Sequence, residues 1–442
     1  MRPCSLKRCA RGSMVSCLPQ FLLVTGLLAI WFVATAIFPS HEHSPTSRRR
    51  YSINMEKTQK EGSKLETLIP QDDATKDSET SPRKPQETKG LTARTPVSPS
   101  KPRATVRWTN LSDDGLDRNS TPCWIDGIFW SKSTEASLQR DLMQTTATDL
   151  AKMTRQTPVL RLVPGCGHSQ NRLLTFQDGR QVCCRYRNSL DLIQGEIYAY
   201  SLSQVLHIRN LPPTAVGIIN ASGNQWDAVG TNMTIANWLD GHQVIFTQWI
   251  PNLVPAFLPK IFQKPERRLH PLDTLSESRS QVSQLAQWSD MIVLDYLTGN
   301  MDRMVNMFVN QQWNSFIMDS PVHNLERSVV TGQLYFLDNE LSFIHSYRLL
   351  ERYGHFHKEM LESLCVFRLR TVNTLTRLHS EGNVWEKMWE LAVSSELLET
   401  QHLPKLSRKN VNILKSRVAD VLNQVKTCQQ MYANRHNLTK CH

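Results

Sequence analysis

The chain has 442 residues, a formal net charge of +11, 40% hydrophobic and 21% charged residues, which is room for one large or two ordinary domains with a sizeable core. The positive excess gathers in the N-terminal part, in SLKRCARGS, SRRRYS and SPRKPQETKG, among few aromatic residues. A solvated basic stem explains this better than a nucleic-acid surface, where basic and aromatic residues would interleave, so no nucleic-acid partner is expected.

A short basic tail, residues 1–17, precedes LPQFLLVTGLLAIWFVATAIF at 18–38, which contains no charged residue. That length matches the roughly 20 residues a bilayer core requires and predicts one membrane-spanning signal-anchor. A cleaved signal peptide is the alternative, but the run exceeds the roughly 7–15 residues of a signal core and no small-x-small cleavage site follows. Residues 39–115 are rich in Ser, Thr, Pro, Lys and Glu. They cannot bury enough apolar area to offset chain entropy and are expected to form a disordered stem. Arginine and lysine flank the span on both sides, so charge orients it only weakly. The sequons decide: Asn110, Asn119, Asn220, Asn232 and Asn437 all lie beyond the span and are glycosylation acceptors if that side is luminal. Of ten cysteines, Cys4, Cys9 and Cys17 lie before or at the span and seven beyond it. No pair has zinc-ligand spacing, so disulfides are expected, and the odd count leaves one thiol free or intermolecular.

Trp108 and PCWIDGIFWSKS open the folded part, taken as 116–442. PVLRLVPGCGHSQNRLLTFQDGRQVCCRYR reads as three strands joined by a Gly-containing turn and an Asp178-Gly179 hairpin turn. LIQGEIYAYSLSQVLHI has helical spacing in Ile193, Ile197, Tyr200 or Ser201, and Val205. Short strands follow around AVGII and HQVIFTQWI, then a Pro-rich connection from Pro251 to Pro271. The remainder reads as mainly helical: VSQLAQWSDMIVLDYLTGN, HKEMLESLCVFRLRTVNTLTRLHSEG and NVNILKSRVADVLNQVKTC. A small β-rich half at about 155–250 followed by a larger helical half at about 280–442 is the layout of an α+β, two-lobed, protein-kinase-like fold.

Phosphoryl transfer from ATP needs a cation on the phosphates, a metal held by carboxylates and a base near the acceptor hydroxyl. In DYLTGNMDRMVNMF a helix stops at Gly299-Asn300 and presents Asp302-Arg303 on a loop. In QLYFLDNELSFIHSYR an apolar strand delivers Asp338, Asn339 and Glu340. Alone, Asp338 reads as a turn cap and Asp302 as a helix-capping or surface carboxylate. Together, downstream of a hairpin and a Glu-bearing helix, they form a catalytic-loop and metal-binding pair.

CGHSQNRLLTFQDGRQVCCRYR, IQGEIYAYSLSQVL, WSDMIVLDYLTGNMDRMV, LYFLDNELSFIHSYR and SLCVFRLRT resemble the four-jointed box proteins of the secretory-pathway kinase group, from about Gly127 to Cys428. The resemblance implies a type II Golgi membrane protein with a luminal kinase domain that uses ATP and Mn²⁺ or Mg²⁺. Its substrates would be Ser or Thr in cadherin repeats of the Fat and Dachsous type, tuning planar cell polarity. It also implies a released, secreted form that inhibits dendrite extension and branching. By resemblance Asp302 is the catalytic Asp, Asp338 the metal ligand and Glu196 the partner of the phosphate-binding cation, with Glu340 in the second shell or in a turn role. The resemblance also implies the disulfides Cys166–Cys183 and Cys365–Cys428.

Two departures follow. The usual strand Lys is replaced by Arg185, or alternatively Arg187, and Arg185 could serve only to pair with Glu196. Five positions after Asp302, where a second metal ligand is usual, stands Met307, and Asn306 lies one residue early. A pseudokinase or secreted ligand therefore competes with the kinase reading. A lipid kinase is disfavoured by the luminal sequons. His168 near the Gly165-x-Gly167 turn reads as turn-stabilising, Trp226, Trp238, Trp249 and Trp288 as core, and FTQWIPN as an inter-lobe hinge.

Overall fold

The protein's computed structural model describes residues 124–138, 145–167, 169–264, 266–394 and 403–433. The expected tail, span and stem, with Asn110, Asn119, Asn437 and His168, lie outside these. No helix among the described residues is long and apolar enough to cross a membrane.

A small hairpin, β1 (Trp124–Ile125) and β2 (Phe129–Trp130), leads into α1 (Lys132–Ser137) and α2 (Ala147–Gln156). Then β3 (Val159–Pro164), β4 (Arg172–Phe176) and β5 (Gln181–Tyr186) run as the predicted meander. After α3 (Leu190–Val205), β6 (Thr214–Ile218) and β7 (Gln243–Gln248) complete a five-stranded antiparallel sheet, ordered β3-β4-β5-β7-β6. Its core joins Leu150 and Met153 of α2 to Leu174, Val182, Phe246, Trp226 and Trp238. The Cys166–Cys183 disulfide ties the β3–β4 turn to β5. On the same strand Cys184 points to the opposite face, as strand alternation requires, and stays a buried free thiol. Burial raises its pKa, keeping it protonated and unreactive.

Helix α3 departs from the amphipathic expectation. Its face from Ile193 to Ile197 is buried, but so are Gln194, Gly195, Glu196, Tyr198 and Ala199, while Tyr200 and Val205 are only partly covered. The helix is enclosed on several sides, packing against β6, β7, α4 (Arg279–Thr298), α8 (Val384–Ser394) and the short helix Ile344–Tyr347. A single-face pattern cannot survive that enclosure.

The segment predicted as a Pro-rich connection holds β8 (Leu253–Phe257), which pairs with β9 (Pro321–Ser328), itself paired with β10 (Leu334–Phe336). This second, three-stranded sheet was not foreseen. Pro255 sits in the edge strand beside a register shift, where a missing N–H is tolerated. The segment FTQWIPN runs from β7 in one sheet to the start of β8 in the other, as a connecting hinge would.

Helices α4, α5 (Met304–Gln311), α6 (Leu350–Glu362), α7 (Leu369–Glu381), α8 and α9 (Arg408–Tyr432) build the larger core around Trp288, Met291, Phe336, Met360 and Val421. The stretch HKEMLESLCVFRLRTVNTLTRLHSEG, read as mainly helical, is interrupted between α6 and α7. There Leu364 bridges Leu269 and Phe367 bridges Phe129, so the chain crosses in extended form, held to α9 by the Cys365–Cys428 disulfide.

Candidate active site

Four elements converge on one charged cluster. Strand alternation puts Arg185, near the end of β5, and Arg187, just past it, on the same side. Arg185 is nearly fully buried. Its Nη2 lies 2.8 Å from Glu196 Oε1 and donates to Thr247 Oγ1 at 3.1 Å. Its Nη1 lies 3.2 Å from both Asp338 Oδ1 and Glu340 Oε1. Those carboxylates outweigh the desolvation of the guanidinium and raise its pKa, so its charge is permanent. Arg187 Nε meets Glu340 Oε2 at 2.6 Å, and its Nη1 donates to Asn171 Oδ1 at 2.8 Å. Glu340 is thus bracketed by two guanidiniums. Its burial, with Asp338 beside it, nonetheless pushes its pKa up.

Helix α3 supplies more than Glu196 Oε1. Its other oxygen accepts the backbone N–H of Asn339 at 2.5 Å, so one carboxylate joins the strand cation to the Asp-Asn-Glu loop. Gly195 allows the approach: a Cβ there would lie 2.1 Å from the carbonyl oxygen of Glu340.

Helix α4 ends as its Gly299-Asn300 signal predicts. Gly299 adopts φ +74°, with its N–H on Tyr296 O at 3.2 Å and the Asn300 N–H on Asp295 O at 3.0 Å, the paired bonds of a left-handed helix stop. Asn300 Oδ1 then accepts the Asp302 N–H at 2.9 Å. Arg303, fully buried, pairs with Asp295 at 2.5 Å and donates to Leu337 O at 3.0 Å and Asn339 Oδ1 at 2.6 Å. It fastens the Asp302 loop to the Asp338 loop. Asn324 of β9, at φ +53°, aims its amide at Asp302 Oδ2 over 3.5 Å, and its carbonyl accepts from Arg303 Nε at 3.3 Å and Leu337 N at 3.0 Å.

The Asp302 carboxyl is raised to about 7, by its enclosure first and the Asp338 charge second. Asp338 keeps a side chain 40% exposed and sits at φ +51°. Its Oδ2 has no partner among the described residues. Glu196, Glu340, Asp338 and Asp302 stand against the guanidiniums of Arg185 and Arg187, with the charge of Arg303 shared between its ion-pair partner Asp295 and Asp302. The surplus negative charge suits a divalent cation. No three such side chains converge as a self-contained metal cage among the described residues. That is compatible with Mg²⁺ or Mn²⁺ chemistry, in which one or two carboxylates and the nucleotide phosphates share the ligand sphere.

Thus Arg185, Glu196, Asp302, Asp338 and Glu340 are brought together by the fold. Asn306 is not: its amide oxygen accepts from Asn310 Nδ2 one turn along α5. The residues that sequence reading missed are Gly195, Asn171, Thr247, Arg303, Asn324 and Asn339. Only Arg303 and Asn339 had a signal, each adjacent to a predicted site Asp. Of the sequons, Asn220 and Asn232 are exposed on the surface.

A helix carboxylate locked to a strand cation beneath two loop aspartates, between an antiparallel sheet and a helical body, is a kinase-like arrangement. The four-jointed box protein middle domain matches residues 145–431, and the chain belongs to the four-jointed box family. It is 35% identical to a Xiphophorus maculatus four-jointed box protein 1, covering 70% of this chain and 72% of that one. It is also 35% identical to the Drosophila melanogaster extracellular serine/threonine protein kinase four-jointed, covering 69% of this chain but only 61% of that protein. Among solved structures, the Golgi casein kinase with Mn/ADP bound is similar in outline at TM-score 0.47 and 14% identity, over 66% of this chain and 78% of that one.

Proposed function

We propose that the chain is an ATP-dependent serine/threonine protein kinase of the secretory pathway. The observation that carries this is the single network in which Arg185 joins Glu196 to Asp338 while Asp302 stays partly open beside it. The name of the Drosophila relative supports it. Asp338 Oδ2 and the nucleotide phosphates would hold Mn²⁺ or Mg²⁺, which would neutralise charge on the transferring phosphoryl group. Arg185 holds Asp338 in place and presents positive charge to the phosphates. Asp302 orients the acceptor hydroxyl and takes its proton, a task suited to a carboxyl raised toward neutrality. Asn324 holds the Asp302 carboxylate from the neighbouring strand.

The substrates in this reading are Ser or Thr of Fat- and Dachsous-type cadherin repeats. The site is the Golgi lumen, behind a type II anchor at 18–38, with a cleaved and secreted fraction. Exposed Asn220 and Asn232 suit a glycosylated luminal surface. The second reading, a pseudokinase or secreted ligand acting on dendrites, is favoured by one observation. The Arg185 guanidinium is already committed to protein carboxylates and Thr247.

The test is incubation of the full chain, purified in detergent, with labelled ATP, Mn²⁺ and a cadherin-repeat fragment. The kinase reading expects phosphate on Ser or Thr, abolished in Asp302→Asn. Absence of transfer to any protein acceptor, despite nucleotide binding, would favour the pseudokinase.

A further inference from the structure

Well apart in sequence from the carboxylate loops, α1, the turn after α3 and the start of α7 line an open surface cleft of about 420 Å³, within the size range of small-ligand sites. Its lining includes Lys132, Glu135, His207, Leu369, Arg370 and Arg377. Arg370 and Arg377 are seven residues apart and so share one face of α7. Lys132 enters from α1. None of these three cationic side chains has an ion pair or hydrogen bond among the described residues. Glu135 is the one acid in the lining, and its Oε1 accepts the Leu369 N–H at 2.7 Å, so it caps the first turn of α7.

The wall is rigid where His207 stands. Its backbone is left-handed at φ +60°, its carbonyl accepts from Arg368 at 2.8 Å, and Thr371 Oγ1 donates to the preceding Leu206 O at 3.3 Å. Lys132 and Glu135 share the cleft with His207, and the charges that act on its imidazole are those of Arg370, Arg209, Arg368 and Arg377. Together with burial, the leading cause, they hold its pKa below the ordinary imidazole value. Three exposed cations against the one acid Glu135 leave the cleft with a net positive charge, which favours an anion.

We propose that this cleft is a binding site for a tetrahedral oxyanion, a phosphate or sulfate group, free or carried as an ester on a larger body. Arg370, Arg377 and Lys132 supply the charge, and Asn373 and Thr374 supply polar contacts at its wall. It is distinct from the nucleotide site of the proposed kinase reading and does not depend on it.

The test uses the full chain in detergent at low ionic strength. Calorimetric titrations are run with inorganic phosphate, sulfate, phosphoserine and a sulfated disaccharide, on wild type, Arg370→Gln/Arg377→Gln and Asp338→Asn. Both arginines are exposed on a helix, so the double variant should melt as wild type does. Saturable binding of at least one probe is expected, weakened roughly tenfold or more in the arginine variant and unchanged in Asp338→Asn. The probe that binds names the source: free anion, phosphate ester or sulfated sugar. Bound anion should also raise the His207 pKa, read from its imidazole proton shifts. Binding equal in wild type and arginine variant, binding lost only in Asp338→Asn, or no saturable binding by any probe would each overturn the proposal.

Discussion

Replacing Gly195 by Ala sets two effects of opposite sign against each other. In a helix interior, Ala is favoured over Gly by about 1 kcal/mol. At Gly195, however, the added Cβ would lie 2.1 Å from Glu340 O and 2.8 Å from Glu340 C, about 1.3 Å inside ordinary contact. Both neighbours are backbone, so a rotamer change cannot relieve the overlap, and α3 must separate from the 339–342 loop. Overpacking of this kind costs ~1–3 kcal/mol. Separation also stretches the buried Glu196 bond to the Asn339 N–H, a charged hydrogen bond worth ~1.5–3 kcal/mol. The net expectation is a loss of about 2 kcal/mol, with the Asp338 loop displaced. Gly354, inside α6, is the control: the nearest atom to its Cβ is Leu350 Cβ at 4.0 Å, so Gly354→Ala should stabilise by up to ~1 kcal/mol. Urea unfolding followed by tryptophan fluorescence measures both. A Gly195→Ala chain as stable as wild type, or more so, would refute the close-approach argument.

Three further outcomes are expected. Glu196→Gln leaves the buried Arg185 without its closest carboxylate and should cost ~3–5 kcal/mol in the same unfolding assay; a near-silent change would contradict the network. Cys365→Ser with Cys428→Ser opens a link between positions 63 residues apart and should cost ~4 kcal/mol, read as a lower urea midpoint under non-reducing conditions. Buried His357 is held neutral well below its ordinary 6.5 by enclosure first and by the Arg417 charge second. Its contribution is therefore present above pH 6.5 and lost as pH falls below it. His357→Leu should flatten that part of the pH–stability curve, and an unchanged slope would refute the assignment.

Much of the five-stranded sheet was legible because it is local: Asp178-Gly179 fixes the β4–β5 turn, and the period-two runs around it fix the strands. The C-terminal end of α4 was legible through its Gly299-Asn300 stop, and α9 as part of a mainly helical stretch. The sheet of β8, β9 and β10 was hidden because β8 lies among prolines and its partner β9 is more than sixty residues away, a pairing no window detects. The break between α6 and α7 was hidden because Leu364 and Phe367 are extended only by virtue of their distant bridge partners. At the site, Asp302 and Asp338 were legible as a pair of loop aspartates at a recognisable spacing, whereas Glu196 and Arg185 were legible only through the resemblance to the four-jointed box proteins. Asn324 was not, since an amide in an unforeseen strand carries no local signal, and the role of Gly195 depends on a loop more than 140 residues away. Asn306 was drawn toward the metal by sequence spacing alone; its place on α5 turns its oxygen to Asn310 instead.

The most direct test of the account is calorimetric titration of Mn²⁺·ATP into wild type, Asp302→Asn and Asp338→Asn. The account predicts binding to wild type, comparable binding to Asp302→Asn because that carboxylate serves the acceptor hydroxyl, and at least about tenfold weaker binding to Asp338→Asn. Equal binding to wild type and Asp338→Asn would contradict the assignment of Asp338 as the residue that holds the metal.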